Sequence, residues 1–98
     1  MIVRFTRRAI GQIHEISETI ALDDARSSDQ FAERVDRVAD LAARHPAIGR
    51  PTDLHDIRVI PLRPFRYLLF YKPFADGSGI MVLRVRHMAR NEDWRAGR

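Results

Sequence analysis

The stretch Phe65-Arg-Tyr-Leu-Leu-Phe-Tyr-Lys-Pro-Phe-Ala-Asp-Gly-Ser-Gly-Ile-Met-Val-Leu-Arg-Val-Arg86 decides the fold. Phe65 to Lys72 is dense in the aromatic and apolar residues that suit a pleated, half-buried surface. Asp76-Gly-Ser-Gly79 supplies residues that tolerate positive φ, as a hairpin turn requires. Ile80 to Arg86 then returns as the second strand. Strict alternation would put Met81, Leu83, Val85 and His87 on one face, and Ile80, Val82, Arg84 and Arg86 on the other. Upstream, Asp56 to Leu62 alternates Ile57 and Val59 with Arg58 and Ile60, and reads as a strand. Pro61 and Pro64 bracket the bend that follows it. The three strands make an antiparallel meander.

Ahead of the meander the period changes from two to about 3.6. Ile2-Val-Arg-Phe5 reads as a short first strand, and the Thr6 hydroxyl is placed to cap a helix. Ile10, Ile13, Ile16 (or Ser17) and Ile20 mark one face of that helix over residues 7–22, which Gly11 weakens modestly. Asp23-Asp-Ala-Arg26 forms its exit. Ser27-x-x-Gln30 fits a capping box and predicts a second helix starting near Ser27. Phe31, Val35, Val38 and Ala42 are its apolar stripe, with Leu41 beside it, and Ile10 and Ile13 join them as core residues. Glu33, Arg34, Asp36, Arg37 and Asp40 form a solvated face. His45-Pro46 ends the helix, because a residue before proline avoids helical backbone. Pro46 to Leu54 is a loop by its proline and glycine content, and residues 88–98 make a final turn or short helix.

Two helices joined by a short turn cannot hide both stripes without a sheet. The expected fold is therefore α+β, ordered β-α-α-β-β-β. A helical hairpin packs on one face of a small, mainly antiparallel sheet, in a single domain spanning residues 1–98. The other face is left shallow, with arginines around it.

Of the 17 basic residues only Lys72 is a lysine, and their distribution is uneven. Residues 1–49 carry seven arginines against eight acids; residues 50–98 carry nine arginines and Lys72 against five acids. The positive surface therefore belongs to the second half, which points to nucleic acid or an acidic protein segment as partner. The chain has no cysteine, so disulfide and thiolate chemistry are excluded. Met1-Ile-Val-Arg-Phe5 has no apolar run of the signal-peptide kind behind it, and Tyr67-Leu-Leu-Phe-Tyr71 is too short to cross a bilayer. A cytoplasmic protein with no membrane partner is expected.

The charge concentrates where the last strand closes: Arg84, Arg86, His87 and Arg90, followed by Trp94. Guanidinium groups stay charged and present a planar fork of donors to phosphate or carboxylate. Two readings stand for the arginines, a contact surface for an anionic partner or a solvated strand end paired locally with Glu92 and Asp93. His87 suits a general base only with a partner in reach; capping a loop is the preferred reading. Trp94 either anchors an interface or folds back onto the sheet. His14, His45 and His55 lack ligand spacing, so no metal is expected, and no cofactor motif is present. No nucleophile with its base and no paired catalytic carboxylates occur, which favours binding over catalysis.

Three local signals, Pro46-x-x-Gly49-Arg50, Tyr67-x-x-Phe70-Tyr71 and Leu83-Arg-Val-Arg-His87-x-Ala-Arg90, occur in an order and spacing that resembles the ParE toxins of the RelE/ParE superfamily. The resemblance implies the toxin of a type II toxin–antitoxin module, of the plasmid stabilisation type, neutralised by a ParD-like antitoxin. It implies DNA gyrase as the target and operator DNA contacted only through the antitoxin; the candidates for target or antitoxin contact are Arg84, Arg86, His87, Arg90 and Trp94. The RelE branch cleaves messenger RNA on the ribosome, which is the alternative function. Laid on this chain, its ribonuclease lysines fall at Val59 and Pro61 and a strand arginine at Leu68, and only Arg90 keeps a basic character. Val59 and Leu68 can neither carry charge nor move a proton.

Overall fold

A computed structural model describes residues 1–90. Its elements are β1 (Ile2–Phe5), α1 (Arg7–Asp23), α2 (Ala25–Arg44), β2 (Arg50–Pro51), β3 (Arg58–Pro61), β4 (Tyr67–Pro73) and β5 (Gly79–His87), closed by a 3-10 turn at Met88–Arg90. The sheet runs β1-β5-β4-β3-β2. The β2–β5 part is antiparallel, and β1 joins the outer edge of β5 in parallel, with Ile2 opposite Gly79 and Phe5 opposite Val82. This is the expected α+β fold, with one strand added. The segment from Pro46 to Leu54 reads as loop throughout, yet two of its residues, Arg50 and Pro51, pair with β3. A two-residue strand is too short to leave a periodic trace in sequence.

Thr6 caps α1 as expected, its hydroxyl oxygen accepting from the Ala9 amide at 3.0 Å. The second helix starts earlier than the capping box at Ser27 suggests. Asp24 is its N-cap, accepting from the Arg26 amide at 3.1 Å and from the Ser27 hydroxyl at 2.9 Å. The same residue closes α1, its own amide donating to the Ile20 carbonyl. Asp24 outcompetes Ser27 because its carboxylate satisfies two donors of the first turn at once.

Both helices lie on one face of the sheet. Phe31, Val35, Val38, Ala39, Ala42 and Ala43 of α2 are buried there, against Leu69, Tyr71, Ile80, Val82 and Val85. Phe31 meets Phe65 and Tyr67 edge to face, with ring centroids 5.3 and 5.6 Å apart. Helix α1 packs more loosely. Ile13, Ile16 and Ile20 lean on the core, but Ile10 is 46% exposed and is not the core residue its spacing suggests. Ala9, one position earlier, is buried in its place. The β1 strand feeds straight into α1 through Thr6, and that junction sets which side of the helix faces the sheet.

Tyr71 fastens the loop after α2. Its hydroxyl accepts from the Gly49 amide at 2.9 Å and donates to the Pro46 carbonyl at 2.7 Å. Arg58 donates to the Gly49 and Ala47 carbonyls at 2.6 and 3.3 Å. A Cβ on Gly49 would sit 2.7 Å from the Tyr71 ring, so glycine is required. Two signals that are separate in sequence, the Pro-x-x-Gly loop and the Tyr71 strand, thus form one structural clamp. Burial raises the Tyr71 pKa from its ordinary value, against the opposing effects of the Gly49 hydrogen bond and the Arg58 charge.

Candidate functional site: a cationic sheet face

The face of the sheet turned away from the helices is built around a bulge. Tyr71 pairs with Val82 and Phe70 with Arg84, so Leu83 is an extra residue in β5. The strict alternation expected for this strand is therefore wrong on one side of Leu83. Ile80 and Val82 do not share a face with Arg84 and Arg86; they join Val85 in the helix-side core. Met81 goes instead to the open face, opposite Lys72 of β4 and Arg4 of β1.

The first turns of α1 hold the bulged strand where β1 stops. The Thr6 amide donates to the Val82 carbonyl at 3.0 Å, and the Thr6 hydroxyl donates to the Leu83 carbonyl at 2.8 Å. Gln12 then reaches down from α1, and its Oε1 accepts from the Val85 amide at 2.8 Å. Backbone groups that a longer β1 would pair are satisfied by side chains.

On the open face, Val59, Leu68 and Phe70 form a small apolar cluster, with Ile57 and Met88 packed against it. All three are at most 4% exposed. The Arg84 guanidinium lies over the Phe70 ring, 4.6 Å from its centroid. Arg86 follows two residues on, opposite Leu68, and is exposed. Burial, then the charges of Arg86 and Arg8, lower the Arg84 pKa from its ordinary value. Cations are therefore gathered here against their mutual repulsion. None of the five strands contains an aspartate or glutamate. The ion pairs Arg44 with Asp40 and His55 with Asp56 involve none of the cations of this face.

The structure thus brings Arg84 and Arg86 together on one surface and places His87 elsewhere. His87 is in register with Tyr67, meeting it edge to face at 5.1 Å. It lines a cleft of about 370 Å3 that Arg86 also borders, with Gln12, Glu15 and Ile16 on the α1 side. Its Nδ1 accepts from the Ala89 amide at 3.0 Å, so the imidazole caps the terminal turn. That bond puts the proton of the neutral ring on Nε2. Trp94 lies outside the described residues, as do Glu92 and Asp93, and Arg90 is located here only by its backbone in the turn. Sequence reasoning did not single out Arg4, Arg8 and Lys72. The parallel pairing of β1 with β5, which places Arg4 on this face, has no local signature. No group of histidine and acidic side chains among the described residues is arranged to hold a metal, and no helix among them is long and apolar enough to cross a membrane.

The same architecture recurs in solved toxin–antitoxin structures. A chain of the chromosomal ParDE system of P. aeruginosa superposes with a TM-score of 0.73 at 16% identity, over 89% of this chain and 95% of that one. A chain of the intact E. coli RelBE complex gives 0.60 at 19% identity, over 88% and 94%. The isolated E. coli RelE toxin gives 0.59 at 18%, over 97% and 96%. At such identities these likenesses establish the fold alone, two helices on a mixed sheet. Family membership comes from sequence. The pattern described as the ParE toxin of the type II toxin–antitoxin system parDE matches residues 3–92. A Sinorhizobium fredii protein named as a toxin, Y4kP, is 29% identical over 85 residues, covering 87% of this chain and 85% of that protein. The chain belongs to the ParE toxin family of type II toxin–antitoxin systems.

Proposed function

We propose that this toxin acts by binding and inhibiting DNA gyrase in the cytoplasm, and that a ParD-like antitoxin neutralises it. The contact surface is the open sheet face, with Arg84 and Arg86 as its centre; Arg90 and Trp94, which follow in sequence, are further contact residues in this reading. The observation that carries this reading is the floor of that face. Val59 and Leu68 stand where the likeness to RelE ribonucleases calls for basic groups, and both are buried apolar residues at 1% and 0% exposure. A side chain with no proton to give and no charge to offer cannot stabilise a phosphoryl transition state. What the face offers is fixed positive charge, suited to docking. The cognate antitoxin supplies an acidic, amphipathic segment that orders as it wraps the toxin, and operator DNA is met through the antitoxin.

Purified toxin should block supercoiling by gyrase, and antitoxin should restore it. Arg86→Ala and Arg90→Ala should relieve growth inhibition while the protein stays folded. New 5′ ends in cellular RNA after induction, with supercoiling intact, would transfer the function to the ribonuclease branch.

A further inference from the structure

We propose that the open sheet face binds the sugar–phosphate backbone of duplex DNA directly, so that the toxin engages gyrase where the enzyme holds its DNA. The second clause rests on the gyrase reading; the first stands on the face itself. Arg4, Met81 and Lys72 form one row across β1, β5 and β4. Its two cations lie two strand spacings apart, about 10 Å. Arg84 and Arg86 are two residues apart on β5, roughly 7 Å along the strand. Four cations spread over such an area exceed what a single carboxylate can satisfy; they match a polyanion.

The choice between an acidic protein and a nucleic acid follows from what is left exposed. Protein interfaces are organised around an apolar core. Here Val59, Leu68 and Phe70 are already buried within the chain, and Arg4, Lys72 and Arg86 are the exposed groups. Interfaces with DNA are polar and strongly positive, and arginine forks suit phosphate oxygens. Phe70, being buried, offers no platform for an unstacked base. The face therefore favours the backbone of a duplex over a single strand.

The test is fluorescence anisotropy of a short labelled duplex of arbitrary sequence, titrated with the whole toxin at several salt concentrations. Binding should be insensitive to sequence, with log affinity falling linearly in log salt. Arg84→Gln and Arg86→Gln should each reduce that slope by about one. Arg86→Lys should restore it, since only charge is needed. Absence of binding at low salt, an unchanged slope in the double variant, or tighter binding of single-stranded RNA would overturn the proposal. Duplex binding without gyrase inhibition would uphold the DNA site and remove the gyrase reading. Inhibition without duplex binding would do the reverse.

Discussion

The two faces of one small sheet are held by different means. Towards the helices, apolar side chains from six elements interlock, while the two exposed residues of β2 are held by pairing with β3. Away from them, three apolar residues are sealed within the face, and cations are laid over the top. Leu68 and Leu69 are neighbours in β4, both 0% exposed, one on each face. The open face is thus as well packed as the other at its floor, and differs in what covers it. Of its arginines, Arg84 is packed over the Phe70 ring, whereas Arg86 is exposed.

The most severe challenge to this contrast is truncation of the two leucines. Leu69→Ala and Leu68→Ala should each cost about 2–5 kcal/mol by denaturant melts, since both leave a cavity. A cost near zero for Leu68→Ala would mean that the open face has no core of its own. Tyr71→Phe should cost about 1–3 kcal/mol, because it strands the buried Gly49 amide. It should also change the pH response. The folded protein holds the Tyr71 proton above its ordinary pKa of 10.0, so stability is full below that value. It falls as pH rises further, because the unfolded chain then loses the proton first. Melts of the wild type and Tyr71→Phe should diverge in slope only above about pH 10. Gln12→Ala should cost about 1–3 kcal/mol by leaving the Val85 amide without its acceptor. The smallest effect is expected at Arg86→Gln, within about 0.5 kcal/mol of wild type. A large loss there would make the residue part of the scaffold.

Much of this was legible in the chain. Thr6 as cap, the Phe31-Val35-Val38-Ala42 stripe, the Asp76–Gly79 turn and the order of elements follow from local chemistry. The bulge breaks the alternation that the local pattern extends through Leu83. The signal is present, for the helix-side apolar residues Ile80, Val82 and Val85 are spaced by two and then by three. Ile10 departs from its expected place because periodicity gives a stripe but not its centre; Ala9 faces inward instead. The site was half readable. Arg84 and Arg86 can be picked from β5 alone, whereas Arg4 reaches this face only through the parallel pairing of β1 with β5, and the charge of Arg8 acts on Arg84 from α1, distant in sequence; no local pattern encodes either.

One joint in the molecule leaves no slack. Because Asp24 both terminates the first helix and initiates the second, the hairpin has no linker in which a length change could be absorbed. An inserted residue taken up as helix would turn everything after it by about 100°, swinging Phe31 away from the aromatic rings it meets. Evolution and engineering alike can lengthen this toxin at its loops, but at this corner the count of residues is itself a structural constant.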